Sequence, residues 1–159
     1  MCIWAALNGK VFLVLPPAVV YFIIHICYIS PSPLYELGTI TTVTTFGILN
    51  DIILSHYGVV QYADSFHGTT WWTTLLWFCF GTTYWHTLSW MERYVWLSPI
   101  VGSLGVAVCY AVVEKSRAID FLIPSHQALI IIGILWAFFY PLSLVLSRYF
   151  HKRSKESLK

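Results

Sequence analysis

Charge is what this sequence has least of: only 10% of its 159 residues are Asp, Glu, Lys or Arg, against about 25% in a soluble globular domain. So few charges cannot cover a water-facing surface of this size, and 58% of the residues are hydrophobic. The solvent around most of the chain is therefore lipid. The length leaves room for one compact helical bundle and no separate soluble domain.

Reactive motifs are scarce too. The sequence has no Gly-rich phosphate loop, no HExxH zinc motif and no GxSxG nucleophile elbow. Its four cysteines, Cys2, Cys27, Cys79 and Cys109, lie far apart and form no CxxC or Cys/His cluster of metal spacing. They read as small buried hydrophobes. No histidine pair has a haem-ligating arrangement, so the sequence calls for neither a metal nor a cofactor. No catalytic constellation is assembled, and the catalytic assignment stays open.

What the sequence does contain is long apolar runs. A membrane span needs about 20 mostly apolar residues, and five segments approach that: 11–29, 38–57, 71–90, 95–113 and 127–146. The runs are twice the length of barrel strands and do not alternate. The expected fold is therefore all-α, a polytopic transmembrane bundle in one domain over 1–147, with a basic tail over 148–159. Ser30-Pro31-Ser32-Pro33 ends the first span, because each proline denies helical geometry to the residue before it. Trp71 and Trp72 at one end of the third span, and Trp90, Tyr94 and Trp96 at the other, fit interfacial aromatic belts.

Arg148, Lys152, Arg153, Lys155 and Lys159 hold five of the nine basic residues. A basic flank directly after an apolar helix reads as a cytoplasmic end in contact with anionic headgroups, not as a nucleic-acid surface. With five spans, the Glu92-Arg93 turn falls on that same side, and the 62–70 and 114–124 loops on the other. Lys115 and Arg117 in the latter loop oppose this orientation, but five basic residues outweigh two. The apolar stretch at 2–7 is too short to span; it is an interfacial stub or the remainder of an additional helix.

Ionisable groups inside spans are costly, and a functional reading is the default. Asp51 lies three residues past the centre of the second span, about 4.5 Å from mid-membrane. It shares a small, polar helix face with Thr44, Gly47 and Ser55, while Asn50 sits about 100° around the helix. Asp51 is either a working residue or a hydrogen-bonded group joining helices. His86 is the second candidate, on a face of the third span with Thr82, Ser89 and Trp90. Imidazole can shuttle a proton, ligate a metal or make a single helix-to-helix hydrogen bond. His86 lies about 9 Å from the centre of its span, on the side opposite Asp51, so contact between the two needs tilt or other span limits. His25 reads as a core or near-interface residue, His56 as interfacial, and Glu92-Arg93 as a solvated turn. Ser98, Gly102, Gly105 and Cys109 share a face suited to close helix packing, with Tyr110 a hydroxyl donor or core residue beside it.

The order and spacing of these residues also resemble a bacterial membrane family known as domain of unknown function 2878. The resemblance rests on Gly47-Ile-Leu-Asn-Asp51 followed by Leu54 and Gly58, then Trp72 with Leu75-Leu76-Trp77. Thr82-Thr-Tyr-Trp-His86-Thr-Leu88-Ser-Trp90 follows, and then Gly102-Ser-Leu-Gly105 leading to Tyr110. It covers roughly 4–146 and is strongest over 47–90. The chain departs from the pattern at Val106-Ala107, where the family has Gly-Pro. The family's first helix is also longer, and its counterpart here begins at Met1, partway through. The resemblance implies six spans in full-length members, a cytoplasmic N-terminus and a bacterial inner-membrane location. Through gene neighbourhoods with cyclopropane-fatty-acid-type methyltransferases it also implies a link to lipid modification. Three expectations follow. The chain assists fatty-acyl modification by binding membrane lipid or a lipid-modifying enzyme; or it is a proton-coupled transporter using Asp51 and His86; or it is a structural subunit.

Overall fold

The computed structural model describes residues 11–63 and 70–157, with side chains from Val14 onward. The apolar stretch at 2–7, and Asp64, His67 and Gly68 of the first polar loop, lie outside the described residues. Helix α1 (Val11–Ile24) contains Pro16 and Pro17 and continues as a π-helical turn, His25–Ile29, ending at extended Ser30. Helix α2 (Pro33–His56) begins with a proline at its first position and Glu36 in its first turn. Both are favourable there, since proline lacks only an N–H that would be orphaned anyway and an acid faces the positive end of the helix dipole. The second helix thus starts five residues before the expected boundary.

Helix α3 (Trp71–Gly81) is capped by Thr70, whose hydroxyl accepts from the Thr73 backbone N–H. At 11 residues it rises about 16 Å, short of the ~30 Å hydrocarbon core. The expectation of one helix over 71–90 is corrected here. Residues 82–88 form turns, followed by 3-10 turns at Ser89–Arg93 and Val95–Leu97. Non-helical backbone at membrane depth is tolerated where protein covers it, and Thr82, Tyr84 and Trp85 are buried. Gly81 marks the break because α2 crosses there: a Cβ on it would lie 2.9 Å from the Ile40 Cα.

Helix α4 (Ser98–Lys115) and α5 (Ser125–Ser157) complete an all-α bundle in which α2 packs between α3 and α5, and α5 between α2 and α4. Among the described residues, three helices, counting the 3-10 lead-in to α4, are long and apolar enough to cross a membrane, and the described part of the first helix is apolar but shorter. The basic stretch from Arg148 to Ser157 is a direct helical continuation of α5.

Outward faces are apolar. Along α4, Ile100, Leu104, Val108 and Val112 point away from the bundle, while Gly102, Val106 and Tyr110 point in. The expected packing face of α4 is corrected accordingly. Gly102 does pack closely, its missing Cβ leaving room for Tyr140, but a Cβ on Gly105 would meet nothing described within 4 Å and Cys109 is exposed. Cys27 is exposed as well, so these two cysteines are not the buried hydrophobes expected. Trp90, Tyr94 and Trp96 are exposed, as a belt requires, whereas Trp72 is core.

Two short strands, β1 (Val60–Tyr62) and β2 (Ile119–Phe121), pair antiparallel with Tyr62 opposite Ile119. This ribbon puts the α2–α3 and α4–α5 connections at one end of the bundle. Both strands are launched by left-handed residues after a helix. Gly58 (φ +65°) follows α2, where the Val59 N–H bonds to Leu54 O and the Gly58 N–H to Ser55 O, the two bonds of a Schellman cap. Arg117 (φ 60°) follows α4, its N–H bonded to Glu114 O.

Candidate functional site

The cap at Gly58 turns the chain back so that β1 lies over the last turns of α2. This carries Tyr62 onto Asp51, which is fully buried. Asp51 Oδ1 accepts from Tyr110 Oη at 2.6 Å and Tyr62 Oη at 2.9 Å, and Oδ2 accepts from Trp77 Nε1 at 2.9 Å. Asn50 Nδ2 donates to Tyr110 Oη at 2.8 Å and lies 3.4 Å from Asp51 Oδ1. The two phenol oxygens stand 3.1 Å apart. An ionised carboxylate accepts only, and donors from α2, α3, α4 and β1 converge on this one. No ion pair to Asp51 forms among the described residues. Burial, then the Asp51 charge, pushes the Tyr62 phenol well above its ordinary range, which keeps it a neutral donor.

Gly47 makes the Trp77 contact possible. It sits one turn before Asp51, and a Cβ there would fall 2.2 Å from Trp77 Cγ. The indole therefore lies flat across α2 and stacks on Trp136 with ring centroids 4.9 Å apart.

Asp51, Tyr62 and Tyr110 form the polar part of a cavity of about 390 Å³ whose remaining wall is almost wholly apolar. That volume lies within the ~300–1,000 Å³ typical of ligand sites. Helices α3 and α4 face each other across it, and Trp136 and Tyr140 of α5 contribute to its wall. It reaches from Leu88 past Gly105 and Cys109 to Val113 and Ile119. The exposure of Gly105 and Cys109 makes the gap between α3 and α4 a groove open on the bundle's flank. Two wall residues, Trp72 and Trp136, carry buried indole N–H groups without hydrogen-bond partners among the described residues.

A second polar cluster lies at the opposite end of α2. Glu36 is fully buried, and its Oε1 is 2.7 Å from His25 Nε2 and 3.1 Å from His86 Nε2. The two imidazoles meet edge to face at 5.1 Å. The π turn at the end of α1 brings His25 inward. The loop carrying His86 is held by Trp85 Nε1 donating to Thr39 Oγ1 at 2.9 Å, and by a Tyr21–Thr82 hydroxyl pair at 2.9 Å.

The expected site residues therefore divide. Asp51, Asn50 and Tyr110 come together, with Asn50 turned inward despite its offset along the helix. Ser55 is half-buried and outside the cluster. His86 belongs to the Glu36 cluster, and because 82–88 is not helical the expected face with Thr82, Ser89 and Trp90 does not exist. Trp90 is exposed. Glu92 is not simply a solvated turn residue, since it faces His151 Nδ1 at 3.3 Å. Glu36, Tyr62 and Trp77 were missed by sequence reasoning. Glu36 was signalled by Pro33 three residues earlier, which marks a helix start; nothing local marked Tyr62 or Trp77 as partners of Asp51.

No curated protein and no solved structure matches this chain. The arrangement of Gly47, Asp51, Trp77 and Tyr110 falls within residues 1–142, which match a family's sequence model, and the chain belongs to that family, described as "Protein of unknown function (DUF2878)".

Proposed function

We propose that this protein is an accessory component of membrane-lipid, fatty-acyl modification that holds a lipid acyl chain in the groove between α3 and α4. The observation that carries this reading is a flank-opening apolar groove with one polar station, Asp51 and its phenols. An acyl chain enters from the bilayer without crossing water, and the groove covers apolar surface that lipid would otherwise solvate. Asp51 accepts a hydrogen bond from a hydroxyl or amine on the lipid, which sets how far the chain slides in. A lipid-modifying enzyme is the partner that receives the lipid. The place of action is the bacterial inner membrane, with several spans and the basic end of α5 in the cytoplasm. The positive-inside bias of Arg148, Lys152, Arg153 and Lys155 supports that orientation.

The test compares membrane lipid profiles of cells with the wild-type chain, with Asp51→Asn and without the protein, at matched abundance. The reading expects a shift in fatty-acyl pattern on loss of the protein and the same shift with Asp51→Asn. Unchanged lipids in both would reject it.

A proton-coupled carrier is the rival. Each end of α2 holds a buried carboxylate, Glu36 and Asp51, fifteen residues apart, which is about 22 Å along the axis. Asp51 and His86 thus do not form one relay by contact. Proton-driven uptake in proteoliposomes that is lost with Asp51→Asn would favour the carrier over the lipid reading. A purely structural subunit would tolerate Asp51→Asn in both assays.

A further inference from the structure

The cluster at the other end of α2 is unrelated to the groove. His25, Glu36 and His86 offer three ligand atoms that all lie within 4.8 Å of one another. Both imidazoles direct Nε2 at the same carboxylate oxygen, Oε1. The other, Glu36 Oε2, is buried and has no hydrogen-bond partner among the described residues. A buried carboxylate oxygen without a donor is costly, and no Lys or Arg ion-pairs with Glu36 among the described residues. A divalent cation relieves both costs, because it takes electron pairs from nitrogen and oxygen and supplies the missing positive charge.

We propose that His25, Glu36 and His86 bind a first-row divalent transition-metal ion, with Zn²⁺ the representative case. Two imidazoles and one carboxylate suit such an ion, and a hard cation such as Ca²⁺ or Mg²⁺ requires mostly oxygen ligands. Tetrahedral Zn²⁺ with these ligands separates donor atoms by about 3.3 Å. The two nitrogen–oxygen separations here are 2.7 and 3.1 Å, so entry of the ion lengthens each of them by only a few tenths of an ångström, and all three ligand atoms already lie within 4.8 Å of one another. Each histidine carries its proton on Nδ1 in the bound form, because Nε2 must present its lone pair. His86 has 34% of its side chain exposed, so the cluster lies within reach of water or an exogenous ligand.

The three ligands come from three separate segments: the π turn ending α1, the first turn of α2, and the loop after α3. Among the described side chains of α1 and its π turn, only Val14 and His25 are buried. The ion is therefore a staple that docks α1 on the bundle as well as a binding site.

The experiment uses the full chain purified in detergent with a non-histidine tag and stripped with chelator. Zn²⁺ binding is measured by calorimetry, and Co²⁺ is added as a spectroscopic substitute. The expected result is one saturable Zn²⁺ per chain, a rise in melting temperature, and a visible Co²⁺ d–d spectrum of low-coordinate form. His86→Asn, at the rim, is expected to weaken binding at least on the order of a hundredfold, since even an outer partner of a ligand costs up to that much. Glu36→Gln should act likewise, and Glu92→Gln should leave binding intact. Absence of saturable binding and of the Co²⁺ spectrum in the wild-type chain overturns the proposal, independently of how any variant folds. So does binding that His86→Asn and Glu36→Gln both leave unchanged.

Discussion

Trp77 reaches Asp51 across the face of Gly47: the indole N–H donates to Oδ2 at 2.9 Å while the ring occupies the space where a Cβ on residue 47 would stand. The contact between two helices and the hydrogen bonding of a buried carboxylate thus depend on one missing methyl group. Gly47→Ala must move Trp77 off Asp51 and off Trp136. The expected loss is about 1–3 kcal/mol, typical of overpacking, read as a lower melting temperature in detergent with altered tryptophan fluorescence. An unchanged melting temperature would mean that Trp77 is free to repack.

Tyr62 and Tyr110 share Asp51 Oδ1 as acceptor, with their oxygens 3.1 Å apart. Tyr110→Phe and Tyr62→Phe should each cost about 1–3 kcal/mol, because a buried carboxylate loses a donor it cannot replace from water. A double-mutant cycle should give a coupling energy of about 0.5–3 kcal/mol. Strict additivity would show that the two phenols act separately.

How much of this was legible in the sequence follows from which forces are local. Charge scarcity and long apolar runs announced a helical membrane bundle, since lipid leaves almost no other solution. Asp51 announced itself because a carboxylate is costly at that depth. Its partners did not, because Tyr62 and Trp77 read as loop and span aromatics until tertiary structure folds β1 and α3 over α2. The break at Gly81 was hidden by an apolar run whose hydropathy continues while its backbone does not. Glu36 was obscured by treating 30–33 as a terminator only, although Pro33 also starts a helix. The His25–Glu36–His86 cluster draws on sequence positions up to 61 residues apart, a spacing that no local pattern encodes.

The two left-handed positions after α2 and α4 should respond in opposite directions. Gly58→Ala places a Cβ at φ +65° and is expected to cost about 1 kcal/mol. Arg117→Gly relieves the same strain at φ 60° and is expected to stabilise by a comparable amount, offset in part by the greater freedom of glycine in the unfolded chain. Melting temperatures in one detergent check both. Equal signs would show that the ribbon does not set the stability of that end.

The Tyr62 phenol is held above its ordinary value of 10.0, first by burial and then by the Asp51 charge. A folded-state value above the unfolded one means the unfolded chain releases this proton first as pH rises. Stability from this group is complete below pH 10.0 and is lost progressively above it. Tyr62→Phe should start less stable yet fall off less steeply in alkaline melts. A slope identical to wild type would show that Tyr62 does not titrate differently in the two states.

The most direct measurement of the central claim is photo-crosslinking in vesicles whose phospholipid carries a diazirine along one acyl chain, followed by peptide mapping. The outer stripe of α4 will label in any membrane protein and carries no information. Trp136 and Tyr140 line the groove and are only 2% and 3% exposed, so they are shielded from lipid that merely coats the outer surface. The account predicts labelling at Trp136 or Tyr140 in the wild-type chain and its loss with Gly105→Leu, whose Cβ stands in open space and whose side chain narrows the groove. Labelling confined to the outer stripe, or labelling of Trp136 and Tyr140 that persists in Gly105→Leu, would contradict it.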